Sequence, residues 1–120
     1  MARSALNLTV NVLGVREEDS WCAIALEMSL RGYGETFDDA LTELIAAIEA
    51  QLSFAAQHGT IDQIFIPAEP EYIRLYADRK RDAVKRKLYG LDQTGLPDYV
   101  VGDIALPESL EGAFTAVAMA

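Results

Sequence analysis

The chain holds one cysteine, one histidine and one tryptophan among 120 residues. A single cysteine forbids a disulfide within the chain and removes a cysteine-based zinc cage. Cys22 has no Cys–His signature near it and reads as a buried, inert thiol on an apolar strand face. His58, the lone histidine, reads as a helix-end residue, because an imidazolium is favoured there and no partner for a catalytic base is in view. No apolar run approaches the roughly 18 residues of a membrane span, and no apolar leader opens the chain. The expectation is a soluble cytoplasmic protein without membrane contact. Neither GxGxxG nor GxxxxGK[ST] occurs, so no phosphate loop is predicted. Positive charge is scarce. Ten Lys and Arg stand against nineteen Asp and Glu, for a net charge of −9. That balance opposes nucleic-acid binding over the whole surface.

What is present suffices for one domain. A chain of this size buries roughly two-thirds of its unfolded surface, enough for a core without staples. Residues 5–13 alternate, with Leu6, Leu8, Val10 and Val12 between Asn7, Thr9 and Asn11. This is a strand with one face buried. The polar stretch 15–20 is a short connection, so the strand opening at Trp21 pairs antiparallel with the first. Cys22, Ile24, Leu26, Met28 and Leu30 continue a period of two. Arg31-Gly32-Tyr33-Gly34 then reads as a bend and a third short strand over 31–35.

Thr36 is the predicted N-cap of a long helix, with Asp38 and Asp39 at its positive end. Phe37, Leu41, Leu44, Ile45, Ile48, Leu52 and Ala55 recur at steps of three and four, one stripe of an α-helix. Gly59 stops it. The stripe is predicted to cover the strands, bringing Leu41, Ile45 and Ile48 onto Ile24 and Val10. Residues 61–67 are weakly strand-like. Residues 71–89 read as a second helix, with Pro70 at its start and Gly90 past its end. Its expected apolar stripe is Ile73, Tyr76, Ala77, Val84 and Leu88. Residues 91–98 form a turn-rich connector, 99–106 a further strand, and 108–120 a short helix, a docking tail or a frayed end.

Seven of the ten basic residues lie between Arg74 and Lys87. Arg79, Lys80, Arg81, Lys85, Arg86 and Lys87 are the candidate nucleic-acid or partner contacts. The bland alternative is a solvated outer helix face. Asp38, Asp39 and Glu43 read as a solvated helix start. An RNase H-type metal site needs three or four converging carboxylates, and the first strand offers Asn7, Thr9 and Asn11 instead. No metal, cofactor or catalytic residue is predicted, and the chain is read as a non-enzyme. Trp21 and Tyr33 are read as packing aromatics, with partner anchoring as the alternative.

Gly34-x-Thr36-x-x-Asp39-Ala40 after three short strands resembles the HicB-like antitoxin family, whose helix start is G-x-T-x-x-E-A. Here it reads GETFDDA, with Asp39 in the acidic position. The likeness covers about residues 5–66. It implies an α+β fold, β-β-β-α-β, of truncated RNase H-like type: an antiparallel sheet covered by one helix. On this division residues 1–66 form the core and 67–120 a helical extension packed in the same domain. The resemblance also implies a homo-oligomeric binding protein that masks a basic, RNA-acting toxin-like partner. Residues 67–120 depart from the family's C-terminal operator-binding motifs, and the proline-rich loop before the third strand is absent. The alternative function is nucleic-acid binding through the basic helix 74–87.

Overall fold

Antiparallel pairing, as the short connections require, organises the chain. A computed structural model describes residues 8–90, 98–106 and 112–117. The elements are β1 (Leu8–Glu17), β2 (Ser20–Ala25), β3 (Leu30–Gly34), α1 (Phe37–His58), a 3-10 turn at Ile61–Gln63, α2 (Pro70–Leu88), β4 (Tyr99–Leu106) and β5 (Gly112–Val117). The strands form one antiparallel sheet in the order β3-β2-β1-β4-β5. The fold is α+β, and β4 and β5 from the C-terminal part complete the sheet. Expectations for residues 5–7, 91–97, 107–111 and 118–120 lie outside the described residues.

Local signals set α1. The Asp39 N–H donates to Thr36 Oγ1 at 3.1 Å, and Gly59 caps the other end at φ 65°. Ala40, Leu44, Ile48 and Ala55 turn inward. They pack on Val10, Val12, Trp21, Ala23, Ala25, Val100 and Ile104, with Leu41 and Ile45 half-buried against the same cluster. Each fully buried Val, Leu or Ile side chain in such a cluster contributes about 1.5–3 kcal/mol.

Ile24 is not under α1. It belongs with Leu13, Cys22, Leu26 and Val101 on the opposite face, beneath Tyr76 and Ala83 of α2. The sheet is therefore covered on both faces, not by a single helix. Cys22 and Ile24 of β2 point to α2, and Trp21, Ala23 and Ala25 point to α1.

Four features differ from expectation. β1 runs on to Glu17, leaving only Glu18 and Asp19 as the hairpin turn, with Glu18 at φ 51°. The second reversal falls at residues 26–29, where the Ser29 N–H donates to the Ala25 carbonyl. Gly32 and Gly34 thus lie inside β3 rather than forming a bend. They leave room for α1: a Cβ on Gly34 would stand 2.7 Å from the Ala40 nitrogen. Residues 61–67 do not form a fourth strand. After the 3-10 turn they carry the chain from one face to the other, with Ile64 in the α1 cluster and Ala68 in the α2 cluster. The Ala68 N–H donates to the Leu26 carbonyl at 2.8 Å, which fixes the crossing point. The tail supplies β5 where a helix, a docking tail or a frayed end was expected.

Candidate partner-binding surfaces

Charge is segregated between the two helical layers. α1 carries Asp38, Asp39, Glu43 and Glu49 with no lysine or arginine. All four carboxylates are exposed. α2 carries Arg74, Arg79, Lys80, Arg81, Lys85, Arg86 and Lys87 against Glu71, Asp78 and Asp82. One sheet thus separates an acidic layer from a basic one.

The six candidate contacts on α2 do not form one uniform face. Arg79 lies toward the sheet, 5.4 Å above the Tyr99 ring and 3.3 Å from Asp82. Arg86 is half-buried. Lys80 reaches back to within 5.6 Å of the Tyr76 ring, and Arg81 lies 3.4 Å from Asp78. Lys85 and Lys87 are exposed, as is Arg74, and none of these three forms an ion pair among the described residues. The expected apolar stripe of α2 needs correction. Tyr76 is buried, but Ile73, Val84 and Leu88 are 42%, 49% and 76% exposed. The sheet side is made instead by Tyr72, Leu75, Tyr76 and Ala83, with Arg79 among them.

Tyr76 fastens α2 to the sheet. Its hydroxyl lies 3.0 Å from Asn11 Oδ1 and 3.1 Å from the Gly102 carbonyl, so one proton is shared between two acceptors. Asn11 in turn donates through its backbone N–H and its side-chain amide to Glu27, at 2.8 and 2.7 Å. Burial raises the Tyr76 pKa above 10.0, with the nearby Lys80 opposing. At the start of α2, Arg31 forks onto Glu69 at 2.8 and 3.0 Å and stands 4.9 Å above the Tyr72 ring.

A cavity of about 480 Å³ opens at the N-terminal end of α1. Trp21, Phe37 and Val100 form its apolar floor. The Phe37 ring lies against Gly14, where a Cβ would stand 2.6 Å from it, and meets Trp21 edge-on at 5.9 Å. Around the mouth stand Glu18 and Asp19 from the first hairpin turn and Glu35 and Asp38 from the helix start. Arg16, also on the wall, is paired with Asp98. Sequence reasoning named Trp21 as an anchor candidate but did not join it to the EED run at 17–19. Only the tight turn after β1 brings them together.

Among the described residues, no group of three or more His, Cys, Asp or Glu side chains is placed to hold a metal ion. Asp38, Asp39 and Glu43 are exposed, and Glu43 Oε1 accepts from the Tyr33 N–H at 3.1 Å. His58 ends α1, with Nδ1 2.9 Å from the Phe54 carbonyl and its ring stacked on Phe54 at 4.0 Å. Cys22 is buried. Among the described residues no helix is long and apolar enough to cross a membrane. Comparison with protein-family models, curated proteins and solved structures found no match for the chain.

Proposed function

We propose that the chain is a non-enzymatic HicB-like binding protein, an antitoxin-type cytoplasmic regulator whose acidic layer masks a basic, RNA-acting protein. The observation that carries this reading is the α1 layer, with four exposed carboxylates and no lysine or arginine. Such a surface attracts a basic partner at long range and repels nucleic acid. The capped GETFDDA helix start, with its Thr36–Asp39 bond, supports the family part of the proposal. Homo-oligomerisation belongs to the same reading, and the exposed Ile73, Val84 and Leu88 are consistent with it.

The test is capture by the immobilised full chain from nuclease-treated native lysate. A small basic protein should be retained, released by salt, and lost from a Glu43→Lys/Glu49→Lys variant. Its RNA-cleaving activity should fall when the chain is added back. Retention that disappears on nuclease treatment, or ignores the charge reversal, overturns the proposal.

The second reading is nucleic-acid binding through α2, favoured by the exposed Arg74, Lys85 and Lys87. It requires a gel shift that weakens steeply with salt and vanishes in Lys85→Glu/Arg86→Glu.

A further inference from the structure

We infer that the cavity beside Phe37 receives an arginine-bearing segment of a basic protein partner, whose guanidinium lies over the Phe37 and Trp21 rings among the rim carboxylates. This rests on the acidic-layer reading above and assigns it a place of contact.

The cavity supplies two kinds of surface that a guanidinium uses together. Its floor is aromatic, and a delocalised cation gains from lying over an aromatic face. Its mouth carries Glu18, Asp19, Glu35 and Asp38, while Arg16 on the wall is already paired with Asp98. An anion would meet that rim as a repulsive ring. A compact metal ion is disfavoured by the spacing, because no three acidic, histidine or cysteine side chains converge among the described residues. Carboxylates spread around an opening suit a charge that is itself spread out and enters on an apolar stem. The positive end of α1 does not reverse this preference, since Asp38 and Asp39 already stand in its first turn. The volume, about 480 Å³, exceeds one side chain and accommodates the backbone on either side of it.

The floor carries its own reporter, because Trp21 is the single tryptophan of the chain. The full-length protein is titrated with a capped Arg-Gly-Arg peptide, and with its Lys-Gly-Lys and Glu-Gly-Glu counterparts, while Trp21 emission is followed. A saturable change is expected for the arginine peptide, a weaker one for lysine and none for glutamate. The Glu18→Gln/Asp19→Asn/Glu35→Gln variant changes only exposed side chains, and its melting temperature serves as a check on folding. It should weaken the arginine peptide roughly tenfold. The Glu71→Gln variant, an exposed carboxylate at the start of α2 on the opposite face of the sheet, should leave affinity within about twofold. No saturable change with the arginine peptide, equal response to all three peptides, or indifference to the rim variant overturns the inference. A captured partner that depends on Glu43 and Glu49 but ignores the rim variant leaves the binding function standing and removes only the cavity. A rim-dependent arginine titration without a captured partner does the reverse.

Discussion

Gly32 lies directly under Ala40: a Cβ added to the glycine would stand 2.3 Å from the Ala40 carbonyl oxygen and 2.4 Å from the Leu44 nitrogen. Both atoms are helix backbone and cannot swing aside. Gly32→Ala should therefore lift α1 from β3 and cost at least about 2 kcal/mol. Gly59→Ala is the contrast. At φ 65° with nothing within 4 Å of its Cβ position, it should cost only about 1–2 kcal/mol, through backbone strain alone. Urea denaturation of the two variants separates the effects, and equal losses would contradict the close approach.

Leu44 is fully buried between α1 and the sheet. Leu44→Ala should lose about 2–5 kcal/mol, the removed contacts and the remaining void acting together. Leu44→Asp should not fold, because no described neighbour in that cluster offers a countercharge. A soluble Leu44→Asp protein with an unchanged melting curve would refute the placement of this helix.

Tyr76→Phe removes the hydroxyl that joins α2 to Asn11 and Gly102. The expected loss is about 1 kcal/mol. Amide exchange should quicken in α2 while α1 keeps its protection, because the two helices occupy opposite faces. Uniform acceleration in both would argue against a tether local to α2.

Burial pushes the Cys22 thiol above its ordinary 9.0; Tyr33 and Arg31 oppose the shift and Glu17 reinforces it. The folded protein thus holds this proton at a pH where the unfolded chain has released it. The resulting stability is intact at about one pH unit or more below 9.0, and declines as pH climbs through 9.0 toward the folded-state value. Tyr76 adds a second decline beginning near 10.0, with the same sign. Melting temperature should be level between about pH 7 and about pH 8 and then fall. In Cys22→Ala the earlier part of the fall should flatten while the later part persists.

The sequence disclosed α1 most fully, because Thr36 and Gly59 mark its ends by local chemistry that owes nothing to the rest of the fold. The two faces of β2 were harder to separate. The period of two places Ile24 under α1, yet Trp21, Ala23 and Ala25 are apolar as well, and a run apolar on both sides indicates cover on both sides. The apolar stripe of α2 misleads for a related reason. Ile73, Val84 and Leu88 look like core and Arg79 does not, but packing turned Arg79 toward Tyr99 and left the other three exposed. β5, with its glycine and alanines, has little pattern to announce it. The cavity was illegible because its floor comes from β2, α1 and β4 and its rim from the first hairpin turn and the start of α1, brought together only by the sheet register.

The strand order also governs how the protein is made. β1 leaves the ribosome before any other described strand, yet its neighbours are β2, which follows at once, and β4, which emerges only after both helices. The hairpin and α1 can assemble early from short loops, while the Leu8–Leu106 ladder must wait for a distant partner. Until then one flank of β1 offers unpaired backbone groups to any passing strand. A nascent chain stalled before Tyr99 should therefore be the species most prone to aggregate and most in need of a chaperone.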